Sequence, residues 1–309
     1  KNTYLVNGFD RNPFTRKQVI EGYYFFATNG YELKYRGEFA NILGSWNLGL
    51  TAQFNSPNYA INFFGYGNNS FNFQTGGGKN KDFNRVRIRK AHAGTFLKWR
   101  GELGAKITIA ANFQSFNIER TLGRFLETEY AARHSVFQAQ KFFNTEAKYY
   151  YQHLDNPAFP TLGLEFTAAA GHTRNLEEAR NFSYAMSSLG VTHQILSNGK
   201  LVLASKIDGH FTFGNDFEFY QAATIGGNEG LRGFRNERFT GKNAFYHTTD
   251  LRYNISNLRT AILPLNIGIY TGFDYGKIWG APSTLTVLPR ETTTPTTSYG
   301  GGFFLNAAN

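Results

Sequence analysis

The sequence has no cysteine, a single methionine and only 8 prolines. Without cysteine there is no disulfide framework and no thiolate metal site. No apolar run reaches the roughly 18 residues that a membrane-spanning helix needs, and helical periodicity is scarce throughout. Acidic side chains are also few: 22 Asp and Glu stand against 32 Lys and Arg, a formal charge of +10. Such a charge points first to nucleic acid. The basic residues, however, are scattered along strand-like segments, as at Arg85, Arg87 and Arg89, and form no tail or single helix face. A basic interior or an anionic membrane rim accounts for them equally well, so no nucleic-acid partner is expected.

What the chain has in excess is 31 Phe, 18 Tyr and 33 Gly. Aromatics favour pleated surfaces, and glycine serves tight turns and crowded interiors. Alternation is legible residue by residue. Tyr31, Leu33, Tyr35 and Phe39 alternate with Glu32, Lys34, Arg36 and Glu38. Trp46, Leu48, Leu50, Ala52 and Phe54 alternate with Asn47, Gly49, Thr51, Gln53 and Asn55. Successive strand residues point to opposite faces, so each such strand has one apolar and one polar face. Long strands, tight turns and aromatics near strand ends favour a transmembrane barrel over a soluble sandwich.

Fourteen such segments are expected, over 2–8, 17–28, 31–42, 45–55, 59–66, 83–97, 101–118, 139–152, 160–174, 180–195, 200–213, 244–256, 263–276 and 297–308. Tight turns at Asn29-Gly30 and Ser197-Asn198-Gly199 are assigned to the periplasmic side. Longer polar stretches, 67–82, 119–138, 214–243 and 277–296, are assigned to the outside. The fold class is therefore all-β: one transmembrane antiparallel barrel domain over 1–309, with no internal domain boundary. The Thr/Pro-rich stretch 292–297 reads as a loop.

The stretch from Gly226 to Arg238 interrupts this ladder with a polar, charged, glycine-rich loop. Its Gly226-Gly227 pair followed by Leu231-Arg232-Gly233-Phe234 resembles the sixth extracellular loop of the Omp85 superfamily, barrels that insert or translocate polypeptides at outer membranes, such as the BamA, TamA and two-partner-secretion types. Two further segments follow in the order that family uses. Asp250-Leu251-Arg252-Tyr253 is similar to its acidic-Leu-Arg-aromatic strand, and Gly272-Phe273-Asp274-Tyr275-Gly276-Lys277-Ile278-Trp279 to its Phe-Asp-x-Gly-x-hydrophobic-Trp strand end. The resemblance implies that the loop, 214–243, folds into the barrel instead of staying outside.

Strand parity adds an expectation of its own. Leu265, Ile267, Ile269 and Phe273 share one face, which leaves Asn266, Gly268, Tyr270, Gly272 and Asp274 on the other. By the same rule Leu251, Tyr253 and Ile255 face lipid, with Asp250 and Arg252 inside. An infolded Arg232 is then expected to meet Asp274, with Asp250 a second candidate, because a guanidinium offers a carboxylate a fork of charge-assisted bonds. Gly233 is expected to allow close approach of loop and wall, and Gly226, Gly227, Gly272, Gly276 and Arg252 to support the arrangement.

Asn12-Pro13-Phe14, the Tyr31–Phe39 strand and the run from Pro57 through Asn62-Phe63-Phe64-Gly65-Tyr66-Gly67-Asn68 resemble Bacteroidetes members of the superfamily, some of which carry a metallophosphoesterase domain before the barrel. No Asp-x-His or Asn-His-Glu cluster is present, and the 7 histidines are dispersed. No catalytic residue, metal or cofactor is therefore expected in this chain. The resemblance implies residence in the bacterial outer membrane, with its lipids and lipopolysaccharide, polypeptide clients and accessory envelope proteins as partners. It also implies a barrel of 16 strands, so that the chain, running from Lys1 to Asn309, is expected to be a fragment lacking the last two; a complete 14-strand barrel is the alternative. An anchor for a fused enzyme and a diffusion pore are the competing functions.

Overall fold

The computed structural model describes residues 1–8, 11–70, 82–128, 134–259, 264–282 and 294–307. Most of the expected loops 67–82 and 277–296, and part of the Thr/Pro-rich stretch, lie outside the described residues. The alternating segments form strands. Four open the chain: β1 (Asn2–Gly8), β2 (Arg11–Phe25), β3 (Gly30–Leu43) and β4 (Trp46–Asn55). After a short β5 (Ala60–Asn62) come β6 (Arg85–Arg100), β7 (Lys106–Ile118), β8 (Gln140–Leu154) and β9 (Gly163–Asn175). β10 (Asn181–Gln194) and β11 (Leu201–Phe213) lead into two short strands, β12 (Ala223–Ile225) and β13 (Phe239–Gly241). Last are β14 (Asn243–Arg259), β15 (Pro264–Trp279) and β16 (Thr296–Ala307).

One sheet holds fourteen of these strands, as the sequence predicts. Thirteen follow one another as antiparallel neighbours in chain order from β1 to β16, with β5 attached to β6 off that path and β12–β13 forming a sheet of their own. The fifth predicted segment, 59–66, is not a full wall strand. β4 pairs directly with β6, from Trp46 opposite Trp99 to Asn55 opposite Lys90, and so occupies the edge the segment needs. Only Ala60, Ile61 and Asn62 pair, with Arg87, Val86 and Arg85. Beyond them Phe63-Phe64-Gly65-Tyr66 lacks in/out alternation, and Gly65 and Gly67 take φ of +90° and +98°, outside the strand range. The chain turns inward there.

Antiparallel order puts every second connection at the same rim. Turns 44–45, 101–105, 155–162 and 195–200 share the short-turn rim, which includes Ser197-Asn198-Gly199. Asn29-Gly30, joining β2 to β3, lies instead on the long-loop rim with 56–84, 119–139 and 214–242, which corrects its periplasmic assignment. Turn length misled, because a long-loop rim also contains short turns. Gly30 there approaches the Asn58 carbonyl so closely that a Cβ would lie 2.9 Å from it.

No helix among the described residues is long and apolar enough to cross a membrane. The strands carry the apolar surface on their outer face, where Phe113, Tyr253, Ile269 and Phe273 remain exposed while Asp274 on the opposite parity is 1 % exposed. A continuous apolar outer band of this kind fits hydrocarbon, not water. Arg87 and Arg89 fall on that outer parity at the long-loop rim, where Arg87 pairs with Glu119 at 3.2 Å. Arg85 is paired with Asp82 and lines a recess with Asn62 and with Arg235 and Glu237 of the infolded loop.

Inside, the long-loop rim is filled by an aromatic core. Phe63, Phe83, Phe125, Phe182, Phe217 and Phe219 are buried together with Val86, Ile88 and Ile118 from the inner face of β6 and β7. Phe63 and Phe219 meet in a tilted pair at 4.6 Å between ring centroids, and Phe116 on β7 meets Tyr220 at 4.7 Å. Burying each such ring contributes up to about 2 kcal/mol. The loops thus acquire a dry core of their own, separate from the polar wall below it.

Candidate functional site

Leaving β11, the chain enters the segment that returns to β14. The Gly226-Gly227 pair allows a sharp reversal: Gly226 N–H donates to the Glu229 carbonyl at 2.8 Å, and Glu229 N–H donates back at 2.9 Å. A Cβ at Gly226 would lie 2.3 Å from the Arg235 carbonyl, and one at Gly227 would lie 2.4 Å from that of Phe234. β12 and β13 zip the base of the loop together, Ile225 opposite Phe239. Leu231, Ile225 and Phe239 bury themselves against Ala244 of β14 and Ile278 of β15, with Phe234 packed at the margin. The missing Cβ at Gly276 leaves room for Ile225, whose Cδ1 would be 3.3 Å away.

This small core aims Arg232 at the wall. Its Nε and Nη2 donate to the two oxygens of Asp274 at 2.7 and 2.6 Å, and its backbone N–H donates to the same carboxylate at 2.9 Å. Ser298 of β16 donates its hydroxyl to Asp274 at 2.9 Å. Nη1 lies 2.9 Å from Asp250 Oδ1 of β14, off the direction of a hydrogen bond, so this second contact is one of charge. Arg252 touches the other oxygen of Asp250 at 3.5 Å. Hydrogen bonds from Arg232 to Asp274 raise the pKa of its guanidinium above the ordinary value, so it stays charged.

Glycines cut the slot. A Cβ on Gly272 would sit 1.9 Å from Arg232 Nη1, and one on Gly300 would sit 3.0 Å from its Cδ. Gly233 plays a different part from the one expected: nothing lies within 4 Å of its Cβ position, and its φ of +80° is what calls for glycine.

A second anchor was not legible in the sequence. Arg238, further along the same loop, lies between the rings of Phe64 and Phe239, at 4.8 and 4.6 Å from their centroids. It donates to the hydroxyl and carbonyl of Ser70 at 2.7 and 2.6 Å. Burial pushes its pKa down to about 10. Beside it, Glu237 accepts the Asn62 N–H at 2.6 Å, Gly67 N–H reaches the Thr240 carbonyl at 2.9 Å, and the Asn68 side chain exchanges two bonds with the Ile278 backbone. Ser298, Gly300 and this clasp are residues sequence reasoning missed. The Gly300-Gly301-Gly302 run inside a strand was the one available signal. Among the described residues no group of three or more His, Cys, Asp or Glu is placed to hold a metal ion.

An antiparallel wall with an apolar outer face and a polar inner face, and with a loop latched to that inner face, defines an outer-membrane β-barrel of the Omp85 superfamily. The family model for haemolysin secretion/activation proteins of the ShlB/FhaC/HecB type matches residues 128–288, just over half of the chain. The chain belongs to that family. Its fold is similar to the crystal structure of BamA from Haemophilus ducreyi lacking POTRA domains 1–3, with a TM-score of 0.66 and 11% identity over 97% of this chain and 62% of that one. It is also similar to CdiB from Escherichia coli, with a TM-score of 0.52 and 10% identity over 99% of this chain and 55% of that one. The chain thus spans less than two thirds of either solved chain. Among curated proteins none matches the sequence.

Proposed function

We propose that this chain forms the membrane pore of an outer-membrane polypeptide secretion protein, and that Arg232 holds the infolded loop against the wall in the conformation that permits export. The reading rests on one observation above all: a three-bond latch from Arg232 to Asp274, set in a slot that glycines at 272 and 300 leave open. A diffusion pore can also carry an infolded loop, but the match to haemolysin secretion/activation proteins favours a pore that moves polypeptide and stays sealed between clients. The loop seals and braces; the chemistry is non-covalent, and this chain is not the enzyme of any reaction. Lipids and lipopolysaccharide surround its outer band, and the arginines at 87 and 89 suit the phosphates of that leaflet.

Arg232→Ala in the full-length protein is expected to abolish client secretion while the barrel still reaches the outer membrane and folds. Normal secretion by that variant would sink the proposed role of the loop. Planar-bilayer conductance separates the diffusion-pore reading: small erratic events are expected, and a large steady current contradicts a plugging loop. Kinship with Bacteroidetes members, including those fused to a metallophosphoesterase, is supported only by the segments at 12–14, 31–39 and 57–68. The precursor sequence tests it directly, a metal-ligand cluster favouring an enzyme anchor and small αβ repeats a secretion protein.

A further inference from the structure

On the inner face of β2, β3, β4 and β6, toward the short-turn rim, lies a cavity of about 490 Å³ whose lining includes Lys17, Lys34, Arg36, Lys98 and Arg100. The carboxylates on this wall are already engaged. Glu38 accepts from Asn47 at 2.7 Å, Lys98 at 2.5 Å and Arg100 at 2.8 Å. Glu32 accepts from Gln53 and Asn55 and pairs with Lys34 at 2.8 Å, and Glu21 pairs with Lys1 at 2.8 Å. Lys17 and Arg36 are left over: among the described residues neither has an ion pair or hydrogen bond. Arg36 rests on the Phe96 ring, 4.1 Å from its centroid, which holds the guanidinium in place while its N–H groups stay free. A concave wall carrying unneutralised cations of one sign concentrates anions from solution.

We propose that this cleft is a way-station for acidic segments of the polypeptide being exported, with Lys17 and Arg36 taking Asp or Glu carboxylates as the chain passes. A guanidinium fixed by an aromatic ring offers paired donors that match a carboxylate, and an unfolded chain supplies carboxylates at successive positions. The wall facing the loop cannot do this, since its own charges, Arg232, Asp250 and Asp274, are paired among themselves. The assignment of the ligand as a client rests on the function proposed above; the anion preference of the cleft does not.

The test uses the full-length protein in planar bilayers, with decaglutamate or decaglutamine added at the short-turn side. Decaglutamate is expected to suppress the brief opening events at a concentration about tenfold lower, and the preference is expected to fade with added salt. Lys17→Gln with Arg36→Gln is expected to erase the preference, whereas Arg174→Gln, on the outer parity, keeps it. Equal block by the two peptides in the wild type, or a preference that survives the double substitution, overturns the site. Citrate blocking as well as decaglutamate at equal carboxylate concentration overturns the polypeptide as ligand. Secretion in whole cells is scored alongside: a wild type that shows the preference but exports nothing overturns the proposed function and the client, and leaves the anion cleft standing.

Discussion

Two arginines six residues apart in sequence hold the same loop by opposite means. Arg232 meets two carboxylates of the strand wall, while Arg238 has two aromatic rings and the backbone and hydroxyl of Ser70. The first is anchored by charge to β14–β16, and the second by stacking to a segment from the far side of the sheet order, next to β5. A charge latch is steep and breaks as a unit, since removing one partner strands the other in a dry place. A stacked, neutral-partner site degrades gradually. The comparison explains why a loop needs both: one fixes its position on the wall, and the other ties it to the aromatic core that closes the rim.

The largest effect is expected at the latch. Arg232→Ala strands Asp274, which is 1 % exposed, and should cost on the order of 3 kcal/mol of loop docking; urea titration of the reconstituted protein and limited proteolysis of the loop would read it. A cycle with Asp274→Asn should show strong coupling, and additive losses would mean the pair does not act as one. Next comes Gly272→Ala, whose methyl would land on Arg232 Nη1 and should cost about 1–3 kcal/mol. Secretion unaffected by that methyl would argue that the slot is not needed. Arg238→Met keeps the stacking bulk and loses the Ser70 bonds, so a loss of about 1 kcal/mol is expected, with the latch intact. A loss as large as that at Arg232 would erase the distinction between the two anchors.

The smallest effect is a pH dependence at the clasp. Burial raises the Glu237 pKa, and the Asn62 N–H and the nearby Lys90 offset this only in part. The folded loop therefore binds that proton more tightly than the unfolded chain. The added stability is complete below the ordinary carboxyl pKa and is lost as the pH rises through the raised value. Glu237→Gln can still accept the Asn62 N–H and should flatten the profile, with the gain appearing in mildly alkaline buffer. An unchanged profile in heat-shift gels would remove Glu237 as its source.

Much of this was written in the strand alternation. The parity of 265–274 puts Asp274 on the inner face, and the ordered segments at 226, 250 and 272 point to the superfamily. The alternation could not show that segment 59–66 leaves the wall, because local pattern does not reveal that β4 already claims β6. Nor could it place Ser70 against Arg238, residues 168 positions apart. Gly233 looks like a contact glycine in the sequence and is a conformational one, a distinction that requires its φ.

What the sequence by itself determined is period and parity: which side chains face lipid, which face inward, and that an arginine loop interrupts the ladder. These follow from the two-residue repeat of a strand, a local property. The tertiary structure alone decided which inward groups meet, that Arg232 takes Asp274 and Asp250 together, that glycines at 272 and 300 open its slot, and that Lys17 and Arg36 find no ion pair among the described residues. Those outcomes depend on register and on curvature across many strands, and no local repeat encodes the distance between them.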